Sequence, residues 1–420
     1  MIQYDKFELS NGLRVIVHAD ASTPLACVNI LYDVGARDED EERTGFAHLF
    51  EHLMFGGSVN IPSYDEPLQM VGGENNAFTT NDITNYYLTL PAENLETAMW
   101  LESDRMLSLA FSEKSLEVQR NVVIEEFKQR NLNQPYGDVW LLLRPLAYKI
   151  HPYKWSTIGK EIKQIEEASM ADVKAFFKKH YHPSNAIMVV SGNVKLEQVK
   201  NLSEKWFGSI PKGVKTVRNL PVEPRQDEYR RLEVDRDVPF DELTMAFHMC
   251  DRRDEDYHAM DLLSDILSRG NSARLYNRLV KEECLFSDLS CFVMGDMDKG
   301  LFVVTGKISP GVSIEKAEAA IFLEFEKVHA TELPERELQK VKNKTEASLF
   351  FAEMSILDKS LNLAYFELLG DIELINKEIS NYLKVTTATI QQLSKEVLRK
   401  TNCSSLHYRS NRKKINNIKK

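Results

Sequence analysis

The sequence predicts an α+β fold of two homologous domains, each a mostly antiparallel sheet packed with helices. Three observations lead there. β-Branched runs alternate with stretches of helical apolar period, the order of these elements recurs in the second half, and prolines interrupt the middle. A chain of 420 residues is also too long for one ordinary core. Between Pro211 and Pro224 lie three prolines and a glycine among charges. That composition suits a linker, so the expected division is a domain over 1–212, a linker over 213–226 and a domain over 227–420.

Residues 13–17 and 26–34 are β-branched runs joined by a proline-containing turn and read as strands. A short apolar helix follows from Thr44, a natural N-cap, to the Gly56-Gly57 stop. Residues 72–82 are turn-rich with a short extended piece, and 84–90 form a strand that Pro91 ends. Helical period covers 94–109, and Ser112 opens a long helix reaching about Asn131. Further on, 172–180 is helical, 186–191 a buried-type strand and 196–207 another helix.

The second half repeats this order. Strands over 231–234 and 243–249 precede a helix over 257–267 that ends at Arg269-Gly270. Set Ala47-His-Leu-Phe-Glu-His-Leu-Met-Phe-Gly-Gly against Met260-Asp-Leu-Leu-Ser-Asp-Ile-Leu-Ser-Arg-Gly, and the apolar positions coincide. Asp261, Ser264 and Asp265 stand where the first copy has His48, Glu51 and His52. The shared helix is therefore buildable without the histidines.

His48, Glu51 and His52 lie three and four residues apart on that helix. Such spacings rotate side chains by only about 40–60° around the axis, so all three share one face. A single histidine on an apolar face is usually a satisfied core residue. Two with a carboxylate are costly to bury without a metal or hydrogen-bonding partner. The order His-x-x-Glu-His inverts that of the common helical zinc-peptidase motif. A catalytic zinc typically takes three protein ligands and leaves one position for water, so a third ligand must come from elsewhere. The segment Gln119-Arg-Asn-Val-Val-Ile-Glu-Glu-Phe127 offers Glu125 and Glu126. Glu126 sits nearer the apolar face and Glu125 tilts toward solvent, but an ordinary surface carboxylate fits either residue.

Composition narrows the function classes. A net charge of −10 argues against nucleic acid as the main partner, and no run is long enough to span a membrane. The five cysteines are scattered without a Cys-x-x-Cys pair, which suits free thiols in a reducing compartment. With no apolar signal region at the N-terminus, a cytoplasmic location is expected. The basic tail 409–420 reads as a solvated end.

Taken together, His-Leu-Phe-Glu-His, the downstream Gly-Gly-Glu-Asn-Asn-Ala-Phe-Thr and the later Arg-Asn-Val-Val-Ile-Glu-Glu resemble the inverted-zincin metallopeptidases. That family includes pitrilysin, insulin-degrading enzyme and the mitochondrial processing peptidase. The resemblance extends through His151-Pro152-Tyr153, the strand end Val189-Val-Ser-Gly192 and the repeated second domain. The length is similar to the branch whose half-length chains pair to enclose a chamber.

The resemblance implies one zinc ion per chain, held by His48, His52 and Glu126, with Glu51 as general base. It also implies that Asn76, Ala77, Phe78 and Thr79 form an edge strand pairing with substrate backbone. Two features depart from the family pattern. Members often carry a glutamate seven residues before the glutamate ligand, as support for it; here that position is Gln119. Active members also place an Arg and a Tyr, seven residues apart, in the zinc-free domain facing the catalytic site. The matching positions are Val280 and Ser287.

The implied function is a zinc endopeptidase for peptides and small or unfolded polypeptides. Its implied partner is a homologous zinc-free subunit supplying the Arg and Tyr, with a homodimer as the competing arrangement. Rival readings are a non-catalytic structural or assembly subunit, and a peptide-binding module of the same fold.

Overall fold

The computed structural model describes residues 1–215 and 217–411. Strands β1 (Asp5–Glu8), β2 (Arg14–Ala19), β3 (Leu25–Tyr32), β4 (Glu74–Thr79), β5 (Thr84–Pro91) and β6 (Ala186–Gly192) form one sheet in the order β1-β2-β6-β3-β5-β4. Every neighbouring pair in it is antiparallel except β2 with β6. Strands β7 (Arg230–Arg236), β8 (Glu242–His248), β9 (Phe286–Met294), β10 (Leu301–Ile308) and β11 (Cys403–Ser410) form a second sheet, β7-β11-β8-β10-β9. Again one pair, β7 with β11, is parallel. Without β1, the two orders are the same sequence of steps. The mostly antiparallel α+β duplication is thus present in the topology.

The compact units are not the contiguous halves expected. One comprises 1–127, 155–220 and 349–377; the other comprises 128–154, 221–348 and 378–420. The helix Ile356–Leu369 from late in the chain packs on β3 and β6 of the first sheet. There Leu363, Ala364 and Phe366 join Ile16, Leu31, Ile187 and Val189 in one apolar cluster. The helix Val139–Ala147 packs instead on β7, β8 and β11 of the second sheet, where Val139, Leu143 and Ala147 meet Ala246, Val303 and Leu406. An amphipathic helix specifies that it needs an apolar partner but not which sheet provides it.

The expected linker is divided as well. Arg218 pairs with Asp33 and Asp38 in the first unit. Glu223, 3% exposed, accepts the amide hydrogens of Lys149, Ile150 and His151 in the second. Proline content marked a boundary, but side-chain anchors tie its two ends down. Of the tail, Arg409 and Ser410 belong to β11 rather than to a solvated end, and residues 412–420 lie outside the described residues.

Candidate metal centre

The motif helix spans Phe46–Leu53 and buries Phe46, Ala47, Leu49, Phe50 and Leu53, leaving His48, Glu51 and His52 on its other face. Phe50 stacks on Tyr181 with ring centroids 5.1 Å apart and packs against Phe176 at 5.0 Å. These apolar contacts hold the polar face in place. The helix N-cap is Gly45, not Thr44. Gly45 has φ +89°, and a Cβ there would lie 2.9 Å from the Ile158 carbonyl oxygen, so glycine is required twice over. Thr44 is buried and turns its hydroxyl to Gln164, while accepting the Lys160 amide hydrogen at 2.9 Å.

The capping carboxylate comes from outside the helix. Glu39 accepts the Gly45 amide at 3.0 Å and the Ala47 amide at 2.8 Å, so it neutralises two of the four orphan donors of the first turn. Burial pushes the Glu39 carboxyl up to about 8, against the lowering effect of those two amides. No local sequence signal marked this residue, which sits in the acidic run before the motif.

His48 and His52 meet Glu126 near the end of the helix Glu113–Phe127, which packs against the motif helix. Val123 and Phe127, which flank Glu126 on that helix, are buried, and Glu125 is exposed, as its position predicts. Nε2 of His48 lies 3.6 Å and Nε2 of His52 lies 3.3 Å from the same Glu126 oxygen, Oε2. Both separations exceed an ordinary N–H···O hydrogen bond. They match the spacing between ligand atoms around a tetrahedral ion whose bonds are about 2.0–2.1 Å long, which is zinc's preference for imidazole and carboxylate. The side chains are 12%, 25% and 17% exposed, enough shelter to order them and enough opening to admit water or a substrate. These three residues fit a zinc ion.

Glu51 projects from the same face, and the Thr79 hydroxyl donates to its Oε2 at 2.6 Å. Thr79 closes β4, which among the described residues pairs only with β5 and so forms the sheet edge. Of the four residues expected at that edge, Phe78 turns its ring into the apolar cluster around Ile83 and Leu363, away from any peptide lying alongside. Gln119 is half-buried on the same helix as Glu126. Two helical turns separate the two residues.

Val280 lies in the π-helical segment Tyr276–Glu282, and Ser287 is exposed on β9, its hydroxyl donating to the Lys307 carbonyl at 3.3 Å. One further cluster of metal-type donors exists among the described residues, Glu233, Glu315 and His407. Arg231 and Arg409 already pair with both of its carboxylates, which makes it an ion-pair lattice rather than a cation site.

Residues 14–161 match the family model described as Insulinase (Peptidase family M16), and residues 167–345 the one described as Peptidase M16 inactive domain. The chain is 29% identical over 410 residues to the zinc protease PqqE of Helicobacter pylori, covering 96% of this chain and 92% of that protein. It is 25% identical over 356 residues to a probable mitochondrial-processing peptidase subunit beta of Arabidopsis thaliana, covering 81% and 66%. Among solved structures, a protease from Helicobacter pylori matches with a TM-score of 0.93 at 28% identity, over 97% of this chain and 100% of that one.

Proposed function

The chain belongs to peptidase family M16, and from that premise we propose that it is a zinc-dependent endopeptidase for peptides and small or unfolded polypeptides. The observation that carries this reading is the convergence of His48, His52 and Glu126 on one point beside a carboxylate, Glu51, already held in orientation. His48, His52 and Glu126 would hold one zinc ion. When bound, the ion supplies Lewis acidity, polarising the scissile carbonyl and acidifying water. Glu51 takes the proton of the attacking water and passes it to the leaving amine. The open edge of β4 adds the substrate as a further strand, a mode that reads main chain and tolerates many side chains.

Glu51→Gln tests the reading directly. Zinc content should stay at one per chain while peptide hydrolysis falls by about 10²–10⁴-fold. Unchanged cleavage would remove Glu51 from its role.

Val280 and Ser287 support a finer reading, in which this chain is the catalytic subunit of a clam-shell heterodimer and a homologous zinc-free subunit brings the missing Arg and Tyr. Robust turnover by the purified, zinc-loaded chain alone would overturn the heterodimer and favour a homodimer. The same two residues are what favour the rival, a non-catalytic subunit or peptide-binding module, against which the poised Glu51 counts. Free thiols at all five cysteines support a reducing compartment such as the cytoplasm. Among the described residues no helix is long and apolar enough to cross a membrane.

A further inference from the structure

We propose that Thr79 is a positioning residue through which pairing of a substrate strand with β4 aligns Glu51 for proton transfer. The inference rests on the endopeptidase reading and deepens it.

The ladder phase of β4 is set at its end, where the Thr80 amide donates to the Ile83 carbonyl at 2.8 Å. In an antiparallel pair, inward and outward main-chain groups alternate from such a point. With Phe78 opposite Asn85 and Asn76 opposite Tyr87, those residues bond inward to β5. Ala77 and Thr79 therefore present their main-chain groups to the open edge. The Ala77 amide agrees, since it donates to the Asn76 side-chain Oδ1 at 2.8 Å instead of to β5. An arriving peptide must displace that carboxamide to reach Ala77, so Asn76 guards the edge against unspecific pairing.

Residues two apart on a strand share a face, so the Thr79 side chain stands with Ala77, opposite the anchored ring of Phe78. Its hydroxyl meets Glu51 at 2.6 Å. One residue thus offers its backbone to the substrate and its side chain to the base. A peptide strand bonded to Thr79 restrains the backbone that aims the hydroxyl, and a charge-assisted hydrogen bond transmits that restraint to the carboxylate. The preferred substrates are then peptides long enough to lie along β4, and that length acts on kcat.

The test compares wild type, Thr79→Ser, Thr79→Val and Thr79→Ala on the zinc-loaded active form, alone or with its zinc-free partner. Two peptides are used, one extending along β4 and one truncated on that side. On the long peptide, Thr79→Val and Thr79→Ala should lower kcat by about ten- to a hundredfold, as loss of a hydrogen bond to a charged group does. KM should stay within about twofold, zinc content should be unchanged, and Thr79→Ser should recover most of the loss. On the truncated peptide, which leaves the Thr79 backbone unpaired, Thr79→Val should lower kcat by a clearly smaller factor than on the long one. A second readout needs no turnover: an uncleaved peptide bound to the metal-free chain should slow hydrogen exchange at the Ala77 and Thr79 amides. Wild-type kcat in both Thr79→Val and Thr79→Ala, an equal loss on both peptides, or unprotected amides would each overturn the proposal. Cleavage surviving in Glu51→Gln would instead overturn the endopeptidase reading beneath it.

Discussion

The helix Phe46–Leu53 lies between β3 and β4, and the helix Tyr257–Ser268 occupies the same place between β8 and β9. Both bury an apolar face. On the first, His48, Glu51 and His52 reach off the helix toward Glu126 and Thr79. On the second, the equivalent residues are occupied with structure. Asp261 accepts the Tyr382 hydroxyl at 2.6 Å, the Ser264 hydroxyl donates to the Asp261 carbonyl, and Asp265 pairs with Arg269 at 3.0 Å. The difference shows that the fold asks only for the apolar stripe. Its polar face is free to hold a donor set in one copy and a purely structural network in the other, so function here belongs to side chains added to a duplicated frame.

The largest effect should come from moving the second helix's residues into the first. Replacing His48→Asp together with His52→Asp should abolish zinc binding, read as metal content after gel filtration. The far-ultraviolet circular dichroism should be unchanged and the thermal midpoint of the zinc-free protein should move by only a few degrees. A double variant that keeps stoichiometric zinc would break the comparison.

The next effect sharpens it at the N-terminus. The second helix begins at Asp256 without a side-chain cap, whereas the first has the buried Glu39. Because the folded state raises this carboxyl to about 8, its stabilising contribution is complete below its ordinary value of 4.5 and is lost as pH climbs through about 8. Stability of the zinc-free chain should therefore fall between about pH 5 and 8, by on the order of a few kcal/mol. Glu39→Gln, which keeps an acceptor without the charge, should flatten that slope. An unaltered slope in urea denaturation would show that Glu39 does not titrate there.

The smallest effect lies in the second unit. Tyr382→Phe should cost about 1–2 kcal/mol by stranding Asp261, while leaving zinc content and turnover as in wild type. Loss of activity without loss of stability would mean that the second helix does more than hold structure.

Local spacing decided much of this protein on its own. The pair His48 and His52 with Glu51 follows from helical rotation, the expectation at Gly56-Gly57 agrees with a helix ending at Leu53, and the repeated strand–helix order agrees with the duplicated topology. The same kind of reasoning placed Glu126 nearer the protein than Glu125, as the structure does. Other features depend on residues far apart in the chain. Glu126 lies 74 residues beyond His52, and Thr79 reaches Glu51 across 28. The exchange of Val139–Ala147 and Ile356–Leu369 between units is of the same kind. Periodicity records which face of an element wants burial or company, because that is set by neighbours three or four residues away. Which distant element answers is set by the tertiary arrangement, and only the folded chain decided it.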